Sequence, residues 1–217
     1  MCYIRQKIYN QAIFVQFMLK IFLVRHGETN HNKNKIIQGQ LDTVLSAKGR
    51  LQAKALSEYF KNIKFDAIYS SDLKRARHTC KVALSKNKSL DKTKIIYDER
   101  LKERHAGAYQ GRSGKDMHKA IVKSGKTHID FKPKGGESML DLYVRSKNFL
   151  DEIIKKHKNG NILIVSHGGV ITSMLLYVAK DSHDNYRKYH PNNAAISIIS
   201  VKDKAKIHTL NYVKHLS

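Results

Sequence analysis

Short apolar runs alternate with longer stretches of helical periodicity along this chain. Runs rich in β-branched residues occupy 20–24, 67–70, 94–97, 161–165 and 194–200, with an edge strand expected at 207–210. Between them, 47–61, 73–85, 115–123, 139–156 and 170–178 carry apolar residues every three or four positions. Strands that read as continuous apolar segments are buried on both faces, and strand–helix alternation is the pattern of a parallel sheet. The expected fold is therefore α/β, a doubly wound, mostly parallel sheet with helices on both faces. The stretch 98–133 breaks the rhythm: it holds Gly107, Gly111, Gly114 and Gly125 amid irregular polarity and is the expected functional loop region.

Composition narrows the class. A length of 217 residues with 41% hydrophobic content suits one well-buried domain, and neither Pro133 nor Pro191 sits in a linker-like tract. Cys2 and Cys80 are the only cysteines, which excludes a disulfide framework and a cysteine-built zinc site and fits a reducing compartment such as the cytoplasm. Residues 1–17 contain Arg5 and Lys7 but no acid. They read as an N-terminal extension, a weak organellar signal or a segment upstream of a start at Met18, and the choice stays open. The apolar stretch from 12 to 24 is interrupted by Gln16 and Lys20 and falls short of the ~20 residues of a membrane span. Residues 18–217 form the expected domain.

A formal charge of +23 draws anions, whether phosphorylated metabolites, nucleic acid or acidic membranes. Charge alone selects none of them. The chemistry lies where two apolar runs end alike, in Ile21-Phe-Leu-Val-Arg-His26-Gly27 and Ile162-Leu-Ile-Val-Ser-His167-Gly168. Ligands of open parallel sheets bind beyond the carboxyl ends of the strands, so adjacent strands would bring both histidines to one site. The glycine after each lets backbone approach a ligand, and Gly168-Gly169 opens an expected helix whose free N–H groups suit an anion. Arg25 precedes the first histidine, and Arg75 lies where a strand passes into a helix. Guanidinium groups bind phosphoryl oxygens bidentately and stay charged. A proton source for a leaving alkoxide is also needed. By position alone Glu103, Glu28, Glu99 and Glu137 are comparable candidates.

These residues belong to an ordered series: Arg25-His26-Gly27-Glu28-Thr29, Asn32, Gln38-Gly39, Asp42-x-x-Leu45-Ser46, Gly49-x-x-Gln52-Ala53, Ser70-Ser-Asp-Leu-x-Arg75-Ala, Leu101-x-Glu103, Gly107-x-x-x-Gly111, Gly135-Gly-Glu-Ser138, Val165-Ser-His167-Gly-Gly and Asn193. From about residue 18 to the C-terminus the series resembles the histidine phosphatase superfamily, which includes the cofactor-dependent phosphoglycerate mutases. The blocks around Glu103 and Gly135 are similar to small broad-range and fructose-2,6-bisphosphatase-like members. The resemblance implies a phosphoglycerate mutase-like fold and a phosphatase acting on a small phosphorylated substrate without cofactor or metal. It makes His26 the nucleophile that forms a phosphohistidine and Glu103 the general acid and base. Arg25, Arg75 and His167 complete the phosphate pocket, Asn32 adds a contact, and Thr29, Gln38, Gly39 and Gly168 line the substrate site. The chain departs from the family pattern at Thr43-Val44-Leu45, where a proline often precedes the leucine.

Three competing readings are weighed against this one. A metal centre of His26, His167 and Glu103 would have to tolerate Arg25 and Arg75 beside a cation. A nucleic-acid-binding relic would leave the filled catalytic positions without purpose, and no specific nucleic-acid motif accompanies the charge. A phosphoglycerate mutase would be expected to carry a longer, proline-rich insertion between Gly111 and Gly135 than this chain has. A homodimer is compatible with the sequence, and sugar bisphosphates, phosphoglycerates and nucleotide monophosphates all fit a cationic pocket.

Overall fold

A computed structural model describes residues 18–88 and 94–217. The extension assigned to 1–17 lies outside the described residues. Among the described residues six strands, β1 (Leu19–Arg25), β2 (Ala67–Ser70), β3 (Ile95–Tyr97), β4 (Gly160–Ser166), β5 (Ile196–Val201) and β6 (Ala205–Tyr212), form one sheet in the order β3-β2-β4-β1-β5-β6. β1 to β4 run parallel, and β5 alone runs against them, pairing antiparallel with both β1 and β6. The mostly parallel expectation holds, with β5 supplying the mixed edge.

The main helices are α2 (Ala47–Phe60), α3 (Lys74–Ala83), α4 (Gly114–Ser124), α5 (Met139–Lys156) and α6 (Gly168–Ala179); α1 (Asn30–Lys33) and α7 (Tyr186–Tyr189) are single turns. Strand alternation explains why helices cover both faces. Ile21 and Leu23 of β1, with Ile162 and Ile164 of β4, join Leu142, Phe149, Ile153 and Ile171 from α5 and α6 in one core. The intervening Phe22, Val24, Leu163 and Val165 join Leu56, Phe60, Ala76 and Cys80 from α2 and α3 in the other. Period-two side chains on central strands thus supply two hydrophobic layers. Thr29 caps α1 and Ser138 caps α5, each with a reciprocal bond to the third helical residue, Asn32 and Asp141.

β4 lies between β2 and β1, and the register aligns Ser70 with Val165 and Arg25 with Ser166. The carboxyl ends of three neighbouring strands therefore deliver Ser71, His167 and His26 side by side. Everything that follows depends on that alignment. The apolar runs had predicted each strand to within two or three residues; in the central β1, β2 and β4, burial on both faces leaves little room for other residue types.

Candidate active site

His26 follows β1 directly, with its N–H bonded to the Ser166 carbonyl across the sheet (2.9 Å). The chain then turns sharply at Gly27, where a Cβ would lie 2.5 Å from the Gly49 carbonyl oxygen at the start of α2. The glycine is needed for this close approach, and the Gly27 N–H is held by Thr79 Oγ1 (3.0 Å). The His26 ring is 2% exposed, and its Nδ1 lies 2.7 Å from the Gly27 carbonyl oxygen. A carbonyl only accepts, so the ring proton resides on Nδ1 and the Nε2 lone pair is free. Burial, then the charges of Arg75 and Arg25, hold the imidazole well below its ordinary pKa. A neutral ring with one committed nitrogen is what a nitrogen nucleophile requires.

His167 caps α6 and is completely buried, its ring centroid 5.1 Å from that of His26. Its Nε2 meets Ser71 Oγ at 2.8 Å, while the same oxygen accepts the Leu73 N–H at 3.3 Å. We assign this hydrogen bond as Ser71 Oγ–H donating to Nε2, which leaves the histidine proton on Nδ1. That Nδ1 is buried and has no partner. Burial and then Arg75 keep this ring neutral too, pulling its pKa well below the usual value.

A cavity of about 340 Å³ opens beside His26, lined by Arg25, Arg75, Glu103, Asn32, Gln38 and Gly39 among others. Arg25 gives Nη1 to the Pro191 carbonyl (2.7 Å), and Arg75 gives Nη1 and Nη2 to the Leu41 and Gly39 carbonyls (both 2.7 Å). The Nε of each is buried and unpartnered. A buried N–H without an acceptor costs about 1–3 kcal/mol, so these two point to an anionic ligand. Burial lowers the Arg75 pKa to about 10, which leaves it charged at neutral pH, and lowers that of Arg25 in the same direction. Gly39 has φ +52°, so it adopts the left-handed backbone that places its carbonyl on Arg75. Thr43, at the departure from the family pattern, holds that loop through a 2.5 Å bond from its hydroxyl to Gln38 Oε1. Asn32 Oδ1 accepts from the Thr29 N–H and from Asn193 Nδ2, so its amide nitrogen is the end left for the cavity.

Glu103 is held at a point where several elements meet. Its carboxylate accepts the Arg104 N–H (2.9 Å) and the Gly169 N–H at the start of α6 (3.1 Å). The preceding turn is tied to β4 by Ser166 Oγ on the Leu101 carbonyl (2.7 Å). Arg145 of α5 donates to the Arg100 and Lys102 carbonyls and forks onto Glu137, which in turn accepts the His105 N–H. Glu137, comparable to Glu103 by sequence position, is thus a strut for the loop that carries Glu103. Glu28 accepts from Ser46 Oγ near the start of α2, and Glu99 is an exposed partner of Lys102. Among the four carboxylates, Glu103 alone lines the cavity.

The structure departs from the sequence reading in three details. Thr29 is buried as the cap of α1, with its hydroxyl on Asn32 and Gln38, and stands behind the cavity wall instead of lining it. Gly168 also stands behind the wall, where a Cβ would strike His190; Gly169 lines the cavity in its place. The N–H of Gly169, expected to meet an anionic ligand, serves Glu103. Sequence reasoning missed Arg104, Tyr186 and His190, which line the cavity. Tyr186 and His190 lie outside any periodic or motif signal, and Arg104 follows the Glu103 block without being marked by it. Among the described residues no three His, Cys, Asp or Glu side chains meet in a metal-holding arrangement, so the two-histidine, one-carboxylate centre does not assemble.

The model of histidine phosphatase superfamily branch 1 matches residues 21–212. The chain belongs to the histidine phosphatase superfamily. Among relatives of this histidine phosphatase, a metal-independent phosphoserine phosphatase of Arabidopsis thaliana is 36% identical over 207 residues, covering 91% of this chain and 83% of that protein. The fructose-2,6-bisphosphatase TIGAR of Xenopus tropicalis is 38% identical over 134 residues, 61% of this chain, which spans about half the length of that protein (49%). Its name bears out the fructose-2,6-bisphosphatase-like character read from the sequence blocks. Among solved structures, a phosphoserine phosphatase mutant from Entamoeba histolytica in complex with phosphoserine superposes with a TM-score of 0.78 at 26% identity, covering 92% of this histidine phosphatase and 100% of that chain.

Proposed function

We propose that this protein hydrolyses small phosphate monoesters in two in-line displacements through a phosphohistidine on His26. The observation that carries the reading is the bond from His26 Nδ1–H to the Gly27 carbonyl, which leaves Nε2 as a buried, neutral nucleophile beside two guanidinium groups with unpartnered N–H. In the first displacement Nε2 forms a bond to phosphorus as the ester P–O bond breaks, and Glu103, protonated, gives its proton to the departing oxygen. Arg25, Arg75, the Nδ1–H of His167 and the Asn32 amide stabilise the charge on the equatorial oxygens. In the second displacement Glu103 takes a proton from water, the hydroxide oxygen bonds to phosphorus, and the N–P bond breaks.

The same constellation would serve a mutase, which must exclude water until the phosphoryl group reaches a bound acceptor. Here the segment from Gly111 to Gly135 that contributes Met117 and His128 to the wall contains one eleven-residue helix, α4, and turns. Such a short cover favours hydrolysis. Rapid quenching of the enzyme with phosphorus-labelled 3-phosphoglycerate should trap acid-labile, base-stable label on His26, and free phosphate should account for nearly all turnover. Formation of 2-phosphoglycerate well ahead of phosphate, with 2,3-bisphosphoglycerate present in trace, would establish the mutase instead.

A further inference from the structure

Arg25 and Arg75 present different edges to the cavity beside His26. Arg75 commits both terminal nitrogens to the protein, Nη1 to the Leu41 carbonyl and Nη2 to the Gly39 carbonyl, and keeps only Nε. Arg25 bonds through Nη1 alone, to the Pro191 carbonyl at 2.7 Å and to His190 Nε2 at 3.4 Å. Among the described residues no acceptor is bonded to its Nε or Nη2. Those two nitrogens share one edge of the planar group, the fork that meets two phosphoryl oxygens side by side. Which edge of Arg25 is left for a ligand is therefore decided by the His190-Pro191 pair.

The imidazole of His190 is itself fixed from several sides. A guanidinium has no acceptor, so Nε2 must accept from Arg25 and the ring proton belongs on Nδ1. There it meets Thr172 Oγ1 of α6 at 3.3 Å, a hydroxyl that lies 2.8 Å from the Gly168 carbonyl and is placed to donate to it. The ring packs on Tyr186 of α7, with centroids 5.4 Å apart and planes tilted by 31°. Gly168 leaves the space for this arrangement. A Cβ on it would lie 2.4 Å from His190 Cε1 and 3.4 Å from Arg25 Nε, so any side chain there would displace the imidazole and crowd the arginine. The end of β1, the start of α6 and the chain after α7 thus close around one contact. The folded protein also disfavours a second proton on this ring, through burial first and the Arg25 charge second, which keeps Nε2 an acceptor at neutral pH.

We propose that His190 is a positioning residue: its imidazole, together with the Pro191 carbonyl, holds Nη1 of Arg25 so that the Nε and Nη2 fork faces the phosphoryl group. The proposal rests on the phosphatase reading for its ligand and adds to it the residue that aims the clamp. His190 acts through Arg25 and needs no contact with the ligand.

Binding of inorganic phosphate to the full chain reads the fork without requiring turnover, and amide NMR shifts reach millimolar affinities. His190→Phe keeps a ring against Tyr186 but has no acceptor, and it should weaken binding about tenfold, the low end for a hydrogen bond to a charged group. His190→Gln, whose amide oxygen can accept from Nη1, should stay within about threefold of wild type. Arg25→Ala should weaken binding more than either, and adding His190→Phe to it should cost nothing further, because a residue that acts only through Arg25 has no effect once Arg25 is gone. If His190→Phe does not melt cooperatively, His190→Leu takes its place. Unchanged affinity in the variant without an acceptor, an equal loss in His190→Gln, or a full second loss in the Arg25→Ala background overturns the positioning role alone. A wild-type chain that binds no phosphate and takes no label on His26 overturns the phosphatase reading with it.

Discussion

His26 and His167 leave their strands in nearly the same sequence, Val-Arg-His-Gly and Val-Ser-His-Gly, and arrive with their rings 5.1 Å apart. Both are buried, both are held neutral, and both carry their proton on Nδ1. They differ in which nitrogen the protein occupies. In His26 the Gly27 carbonyl takes Nδ1 and leaves a lone pair; in His167 the Ser71 hydroxyl takes Nε2 and leaves a donor. One ring is thereby suited to attack phosphorus and the other to hold its oxygens. On the proposed mechanism, a single hydrogen bond behind each ring, invisible in the motif, separates the two roles.

The largest effect that would test this division comes from removing each ring in turn. His26→Ala should lose at least ~10⁴-fold in kcat and all trapped label, whereas His167→Leu, which keeps volume but removes the donor, should lose about 10²- to 10³-fold and still accumulate label on His26. Loss of label in both variants would mean that the two rings act as one unit, and the comparison would fail. A smaller effect is expected at Ser71. Ser71→Ala frees Nε2 of His167 to take the proton, so kcat should fall about fivefold to tenfold, the worth of one neutral hydrogen bond, with KM for an aryl phosphate falling outside that trend. A nitrogen-15 spectrum of the imidazoles would show the tautomer change directly. An unchanged spectrum would assign Ser71 no part in orienting the ring.

The smallest effect concerns stability. The folded state disfavours protonation of His26 and His167, through burial first and the nearby arginine charges second, and it lowers His190 to about 4 for the same reasons, with Arg25 the charge concerned. The unfolded chain, whose imidazoles titrate near 6.5, therefore binds more protons below that pH. Stability contributed by the neutral rings is complete above about pH 6.5 and declines as pH falls toward about 4. Urea midpoints measured at pH 7.5, 6 and 5 should drop progressively, and His190→Gln should flatten the slope. A flat wild-type profile over that window would contradict the burial assigned to these rings.

Most of the scaffold was readable before any coordinates, for a reason that particular elements make plain. Residues 67–70 and 139–156 match β2 and α5 residue for residue, because a doubly buried strand and a long amphipathic helix each impose one pattern. That the strand-end histidines, Arg25 and Arg75 come together was equally legible, since the motif and the topology specify the same positions. Arg104 was not. It sits in Leu-Lys-Glu-Arg-His, where Lys102 forms surface ion pairs and only burial sets its neighbour apart. Thr29 erred the other way: its place in the motif suggested a ligand contact, but a threonine ahead of a helical turn serves first as a cap.

The sheet order also has a consequence for the newborn chain. β1 is almost wholly apolar and finds both of its neighbours, β4 and β5, more than half the chain downstream. At ribosomal rates of roughly 5–20 residues per second it waits on the order of 10 s for its first partner, with both backbone edges unpaired. The strand that leads to His26 thus emerges ahead of the other described strands and is among the last to be enclosed. In the cell, yield of this enzyme would be governed by how well a bystander keeps that one segment from pairing with its copies on neighbouring ribosomes.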